Sequence, residues 1–210
     1  MKAILFDLDN TLYAPERELF SLIDVRINRY MSEVAGIAPA QVDGLRRRYW
    51  TEYGVTLQGL IRHHGVDPED YLEYVHDVDV ASRIVPDLHL RNQLSALPLP
   101  KVIFTNGSRN HAGRVLHHLG IADQFVDIFD IRVANYLPKP FRDPYLSVLD
   151  SLGLSGPDCT MVEDSVDNLK TAKALGMRTV LVGGEKQPFV DIHVSCAAEV
   201  TEAVAGLTNV

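Results

Sequence analysis

The chain has little of what several protein classes require. Its 210 residues include two cysteines, Cys159 and Cys196. These form no metal-type spacing and no disulfide framework, and they fit a reducing compartment. A basic balance is absent: 20 Lys and Arg stand against 28 Asp and Glu, a formal net charge of −8. A nucleic acid polymer is therefore disfavoured as a partner, although a local pocket can still take a small anion. No apolar run approaches the ~20 residues of a membrane span, so no membrane partner is expected. The first residues carry one lysine and no apolar core with a cleavage site. No signal peptide is expected on that reading, and the protein is read as cytoplasmic. Hydrophobic residues make up 46% and charged residues 23%, as in an ordinary soluble globular chain.

What is present begins at once. Ala3 to Phe6 is a short apolar run bounded by charge, suited to a strand buried on both faces. Asp7 and Asp9 follow where that strand should end, and a period of two aims them to the same side. Two like charges that close repel, so a cation or a proton must relieve them. From Pro15 to about Val85 the texture is helical. Phe20, Ile23, Ile27, Tyr30 and Met31 recur at helical spacing, and Val42, Leu45, Tyr49, Trp50 and Tyr53 form a second apolar face. A third helix spans Leu57 to His64, and Asp67-Pro68 opens a fourth. A parallel crossover needs only a dozen or more residues, so this excess reads as an inserted helical domain.

From Pro86 strands and helices alternate. Strands are expected at Lys101–Thr105, within Phe125–Val133, at Thr160–Val162 and at Thr179–Val182, with an edge strand at Ile192–Ser195. Helices are expected at Leu88–Leu97, Asn110–Leu119 and Asp143–Leu152, from Ser165 to Leu175, and at Glu199–Gly206. The alternation predicts an α/β fold: a doubly wound, Rossmann-like parallel sheet with an inserted α-helical cap. The core is expected over 1–13 and 87–210, and the cap over 14–86.

Chemistry-bearing residues gather at the predicted strand ends, where open parallel sheets place their sites. Thr105-Asn106-Gly107 offers a hydroxyl and freed backbone N–H groups for phosphate oxygens. Lys139 lies between two prolines that stiffen its backbone. Glu163-Asp164 ends a strand with two acids that suit a hard cation such as Mg²⁺.

Taken in order, Asp7-Leu8-Asp9-Asn10-Thr11, Thr105, Lys139 and Glu163-Asp164 resemble the four motifs of the haloacid dehalogenase superfamily. The match reaches from residue 2 to about 183. FDLDNTLY, YWTEYGVTLQGLIRHHGVDP, FTNGSRNHAGRVLHHLGI, KP and VEDSVDNLKTAKALGM resemble the pyrimidine 5'-nucleotidase branch more narrowly. Two departures stand out. Many superfamily members carry Gly-Asp or Asp-Asp in place of Glu163-Asp164, and many carry a further Asp where this chain has Asn168.

The resemblance implies a Mg²⁺-dependent phosphomonoesterase acting on a small phosphate ester, UMP or CMP first. Mg²⁺ would lie on Asp7, Asp164 and the backbone carbonyl of Asp9, with Glu163 and Asn168 orienting ligands or waters. Asp7 would be the nucleophile, forming an aspartyl phosphate. Asp9, protonated at first, would be the acid and then the base. Thr105, Lys139 and the backbone N–H groups of Leu8, Asp9, Asn106 and Gly107 would hold phosphoryl oxygens. Asn10 and Thr11 would brace the loop. Tyr53, His63, Asn110 and His111 are candidate substrate contacts. Tyr49, Trp50 and Tyr53 otherwise read as helix core, and Arg46-Arg47-Arg48 as a solvated face.

Rival readings are a phosphatase for phosphoglycolate or a sugar phosphate, a 2-haloacid dehalogenase, a receiver-type phospho-acceptor and a non-catalytic binding module. Asp9 speaks against the dehalogenase. Chain order and length oppose the receiver, and retention of both Asp7 and Asp9 opposes the binding module.

Overall fold

A computed structural model describes residues 1–205. Six parallel strands form one sheet: β1 (Ala3–Phe6), β2 (Lys101–Phe104), β3 (Asp127–Phe129), β4 (Cys159–Glu163), β5 (Arg178–Val182) and β6 (Ile192–Val194). Their order is β3-β2-β1-β4-β5-β6, and each neighbouring pair is parallel. The chain leaves β1 in one direction to build β2 and β3, then returns to its other side with β4. This reversal leaves a crevice at the carboxyl ends of β1 and β4.

Helices cover both faces, so the central strands β1, β2 and β4 are buried on both sides. Alternate residues sort between two cores. Ile4, Phe6, Ile103 and Val162 pack with Leu90 and Leu94 of α5 (Leu88–Ala96), Ala112 and Val115 of α6 (Arg109–Leu119) and Val200 of α9 (Val200–Ala205). Leu5, Val102, Phe104 and Met161 pack on the other face with Tyr145 and Val148 of α7 (Arg142–Leu152) and Leu169 of α8 (Val166–Ala174). The last helix begins one residue later than expected, and its expected end, Gly206, lies outside the described residues.

Between β1 and α5 the described chain is helical: α1 (Leu19–Arg29), α2 (Pro39–Tyr53), α3 (Thr56–His64) and α4 (Pro68–His76), joined by short turns. The first helix passes into a π-helical turn at Tyr30–Val34, where the Ala35 N–H donates to Tyr30 O. Asp67 caps α4 as its position before Pro68 requires, accepting from Glu69 N at 2.8 Å. These helices bury a third core of their own, including Ile23, Ile27, Tyr49, Leu60 and Tyr71, joined by Ile131 from the sheet side. Two members of the expected apolar faces turn outward. Phe20 and Trp50 are 41% and 66% exposed. Trp50 follows buried Tyr49 directly, and one helical step of about 100° carries it away from the core. No helix among the described residues is long and apolar enough to cross a membrane.

Two helical glycines make opposite demands. A Cβ on Gly59 in α3 would meet the Tyr49 ring at 2.0 Å, whereas one on exposed Gly44 in α2 meets nothing within 4 Å. Gly59→Ala is expected to destabilise by about 1–3 kcal/mol through overpacking. Gly44→Ala should stabilise by about 0.5–1 kcal/mol through helix propensity. Urea unfolding checks both; equal effects of the two substitutions would contradict this packing.

Candidate active site

The loop after β1 carries Asp7, whose N–H donates to Val162 O at 2.9 Å. The chain then turns helically, with Leu12 N donating to Leu8 O. Asn10 takes a left-handed conformation at φ 64°, which an Asn tolerates better than most residues. Thr11 fastens this loop to the end of β4: its Oγ1 donates to Asp164 Oδ1 and accepts from Asp164 N, both at 3.1 Å. The expected bracing by Thr11 is thus present.

Asp7, Glu163 and Asp164 offer carboxylate oxygens that all lie within 4.8 Å of one another. One ammonium reaches into this cluster. Buried Lys139 donates from Nζ to Asp7 Oδ1 at 2.7 Å, Glu163 Oε2 at 2.8 Å and Phe104 O at 2.6 Å. All three ammonium donors are thereby used. Asn106 secures the same lysine by its backbone, accepting from Lys139 N at 2.8 Å and donating to Lys139 O at 3.0 Å. The asparagine side chain, which carried no expectation of its own, is a clasp between the loops after β2 and before α7.

Glu163 is saturated by protein donors. Oε2 accepts from Lys139 and from Asn168 Nδ2 at 3.0 Å; Oε1 accepts from the backbone N–H groups of Asp164 and Ser165, each at 3.2 Å. Asp7 and Asp164 each keep Oδ2 without a hydrogen-bond partner among the described residues. Two carboxylate oxygens left over in a crowded acidic crevice are a donor set that fits a hard divalent cation.

The charges press on one another. Burial, and then Glu163, pushes the Asp7 carboxyl up from 3.8 to about 7, and Lys139 only partly opposes this. Burial and then Asp7 raise Asp164. Burial also raises Glu163, against the pull of Lys139. For Lys139 burial acts downward, but Asp7 and Glu163 outweigh it and the ammonium is held. Asp9 differs: burial acts upward, but His111 and Tyr13 bring it below its usual value.

Thr105 is buried, and its Oγ1 accepts from Gly107 N at 2.9 Å. A cavity of about 690 Å³ opens over these groups, lined by Asp7, Asp9, Thr105, Asn106, Gly107 and Asp164. Its outer wall includes Phe20, Trp50 and Phe141. Four expected substrate contacts lie elsewhere. Tyr53 and His63 bond to each other at 2.9 Å and are absent from this lining. Asn110 faces a separate groove. His111 is fully buried behind Asp9, with Nε2 2.8 Å from Asp9 Oδ1. Arg46, expected to be solvated, pairs with Asp24 and donates to Asn28 Oδ1 at 2.9 Å. Trp50 is at the cavity rather than in the core, which corrects its reading as core.

Sequence reading gave no role to Tyr13, Phe20, His76 or Phe141. Tyr13 had a signal: it lies four residues after Asp9, and one helical turn brings its hydroxyl to Asp9 Oδ1 at 2.6 Å. His76 stacks on His111 from 35 residues earlier in the chain, a contact no local pattern announces.

A family model described as haloacid dehalogenase-like hydrolase matches residues 1–176. The chain is 27% identical over 201 residues to Phosphate metabolism protein 8 of Saccharomyces cerevisiae, covering 86% of this chain but only 61% of that protein. It is 29% identical over 213 residues to Phosphoglycolate phosphatase of Rhodospirillum rubrum, covering 91% and 84% respectively. Among solved structures, a HAD phosphatase from Thermococcus onnurineus superposes with a TM-score of 0.67 at 20% identity, covering 98% of this chain and 99% of that one. L-2-haloacid dehalogenase from Xanthobacter autotrophicus gives 0.65 at 19%, covering 99% of each. These structural likenesses establish the fold.

The raised Asp7 carboxyl has a consequence for stability. As pH climbs from about 4 the unfolded chain releases this proton first. Asp7 therefore costs stability progressively until pH reaches its folded value of about 7. In EDTA at pH 8, Asp7→Asn is expected to melt higher than wild type by at least about 5 °C, since each kcal/mol is worth about 2–4 °C. The gap should close toward pH 4. Thermal melts across pH check this; a gap that widens on acidification would reverse the assigned sign.

Proposed function

The chain belongs to the haloacid dehalogenase-like hydrolases, and we propose that it is a Mg²⁺-dependent phosphatase for pyrimidine nucleoside 5'-monophosphates. One observation carries the substrate assignment. Phe20, Trp50 and Phe141, the exposed aromatic side chains among the large hydrophobics at the described surface, all line the cavity that holds Asp7 and Asp9. Exposed aromatic faces converging beside acids suit a ligand with a flat ring at one end and an anion at the other. The likeness of Tyr49 to Pro68 to pyrimidine 5'-nucleotidases supports the same reading. On it, 14–86 is a helical cap domain over a core of 1–13 and 87–210.

Asp7 and Asp164, each with an oxygen to spare, would hold the metal together with the Asp9 backbone carbonyl. Bound Mg²⁺ supplies positive charge where one anion must approach another. Glu163 positions Lys139, and Asn168 positions Glu163. Asp7 attacks phosphorus; the P–O bond to the nucleoside breaks as the P–O bond to Asp7 forms. Asp9 gives its proton to the departing 5'-oxygen. Water then attacks the aspartyl phosphate, returning a proton to Asp9 and freeing phosphate and Asp7. Thr105 and the backbone N–H groups of Leu8, Asp9 and Asn106 would hold the phosphoryl oxygens, while the Gly107 N–H, expected beside them, is already given to Thr105 Oγ1. Lys139 serves them through Asp7, whose charge it balances.

A second reading is phosphoglycolate as substrate, favoured by the 29% identity to a protein named Phosphoglycolate phosphatase. Phosphoglycolate has no ring to meet the aromatic wall.

Two measurements decide. EDTA is expected to silence phosphate release and Mg²⁺ to restore it; full turnover in EDTA would point to metal-free chemistry. In kcat/KM across nucleotides, phosphoglycolate and hexose phosphates, UMP or CMP should lead. Trp50→Ala should raise KM for UMP by about 5- to 100-fold, the range of one lost stacking contact of about 1–3 kcal/mol, with little change for phosphoglycolate. A tenfold lead for phosphoglycolate or a sugar phosphate would overturn the nucleotide assignment and leave the phosphatase intact.

A further inference from the structure

Asp9 is gripped in an uneven way. Two side chains reach it, and both reach the same oxygen: Tyr13 Oη donates to Oδ1 at 2.6 Å, and His111 Nε2 lies 2.8 Å from Oδ1. Oδ2 has no hydrogen-bond partner among the described residues. Neither holder is arranged as a substrate contact. His111 is fully buried, and both it and the Tyr13 ring lie outside the lining of the cavity that Asp9 enters.

His111 is itself fixed. It belongs to the first turn of α6, whose N-cap Ser108 accepts from His111 N at 3.3 Å. The His76 ring stacks on it with centroids 4.6 Å apart and planes 18° from parallel. His76 in turn is held through Nδ1, 2.9 Å from Leu72 O and 3.1 Å from Ser108 Oγ. His111 Nδ1 is buried with no partner among the described residues. A hydrogen on that nitrogen would be an orphaned donor, so the ring carries its hydrogen on Nε2 and donates to Asp9.

We infer that Tyr13 and His111 are positioning residues that hold Asp9 by Oδ1 and so assign its transferable proton to Oδ2, the oxygen left facing the cavity. A carboxyl group carries one proton on one of two oxygens. An oxygen already accepting two hydrogen bonds is the poorer place for it, so the proton resides on Oδ2. The same two bonds stop the carboxyl group from rotating. Proton transfer needs the donor within hydrogen-bond reach of the leaving oxygen, and small misplacements are costly. This inference rests on the acid–base role proposed for Asp9. It replaces the expectation that His111 touches substrate.

The test separates proton delivery from general damage. Tyr13→Phe keeps the ring and removes its donor. His111→Gln retains a donor near the Nε2 position, and His111→Phe removes it. Single-turnover phosphorylation is measured with UMP and β-glycerophosphate, whose leaving oxygens need a proton, and with p-nitrophenyl phosphate, whose leaving group does not. Tyr13→Phe and His111→Phe should slow the first two by about 10- to 100-fold, part of the 10²–10⁴-fold that general acid catalysis supplies. The loss with p-nitrophenyl phosphate should be at least about tenfold smaller, KM for UMP should stay within about twofold, and His111→Gln should recover most of the rate. Equal losses with all three substrates, or a rise in KM with kcat intact, would overturn the positioning role. Should His111→Phe not fold, Tyr13→Phe and His111→Gln alone carry the comparison. Asp9→Asn is run beside them. If its loss is itself independent of leaving group, the acid–base reading of Asp9 falls, and the inference with it. If Asp9→Asn depends on leaving group and the Tyr13 and His111 variants do not, the inference alone falls.

Discussion

A single buried ammonium holds this site together. Lys139 bridges Asp7 at the end of β1 and Glu163 at the end of β4, across the point where the sheet reverses its order of construction. Taking such charges out of water costs several kcal/mol each, and only close geometry with every lone pair occupied recovers it. The surroundings meet that demand. Asn106 clasps the lysine backbone from both sides. Asn168 and two backbone N–H groups fill the remaining capacity of Glu163. Still the account does not balance in charge: Asp7, Glu163 and Asp164 crowd one another and a single lysine answers them. That deficit, with one oxygen idle on each of Asp7 and Asp164, is the physical reason a divalent cation fits here.

The lysine also ties the sheet to the helices above it. The loop that delivers Lys139 begins at Ile131, which packs into the helical core. Arg132 grips Glu69 of α4 through two bonds of 2.7 and 2.6 Å, and Tyr136 Oη donates to the same carboxylate at 2.6 Å. Gln58 of α3 donates to Tyr136 O at 2.7 Å. Asn135 and Tyr136 are both left-handed, a conformation that costs a non-glycine residue energy and persists where surrounding contacts impose it. These bonds fasten α3 and α4 to the loop that carries Lys139.

Much of this was legible in the chain and some was not, for reasons of distance along it. Strands buried on both faces announce themselves as short apolar runs, and all six expected strand regions formed within a few residues of their predicted bounds. Lys139 drew notice because flanking prolines fix its backbone, but its partners are 132 and 24 residues away and only the fold supplies them. Asn106 was read for its backbone N–H alone, because its side-chain partner lies 33 residues on. Trp50 was misread by one position: helical spacing places Tyr49 and Trp50 side by side in the chain but about 100° apart around the helix. Apolar periodicity locates a buried face well and assigns single aromatics at its edge badly.

Fold alone does not choose the chemistry. A dehalogenase superposes over 99% of the chain as well as a phosphatase does over 98%. An ester leaving as alkoxide needs a proton at the moment the bond breaks, whereas a departing halide does not. The discriminating feature is therefore a second acid two residues after the first, held so that one oxygen faces the cavity. Asp9 fits that description: two donors from inside the protein occupy Oδ1, Oδ2 has no partner among the described residues, and the residue lines the cavity. A chain that released halide would gain nothing from burying a tyrosine and two stacked histidines to fix that orientation. Keeping His111 Nδ1 buried without a partner among the described residues is a liability of about 1–3 kcal/mol, against which the Nε2 bond to Asp9 is set.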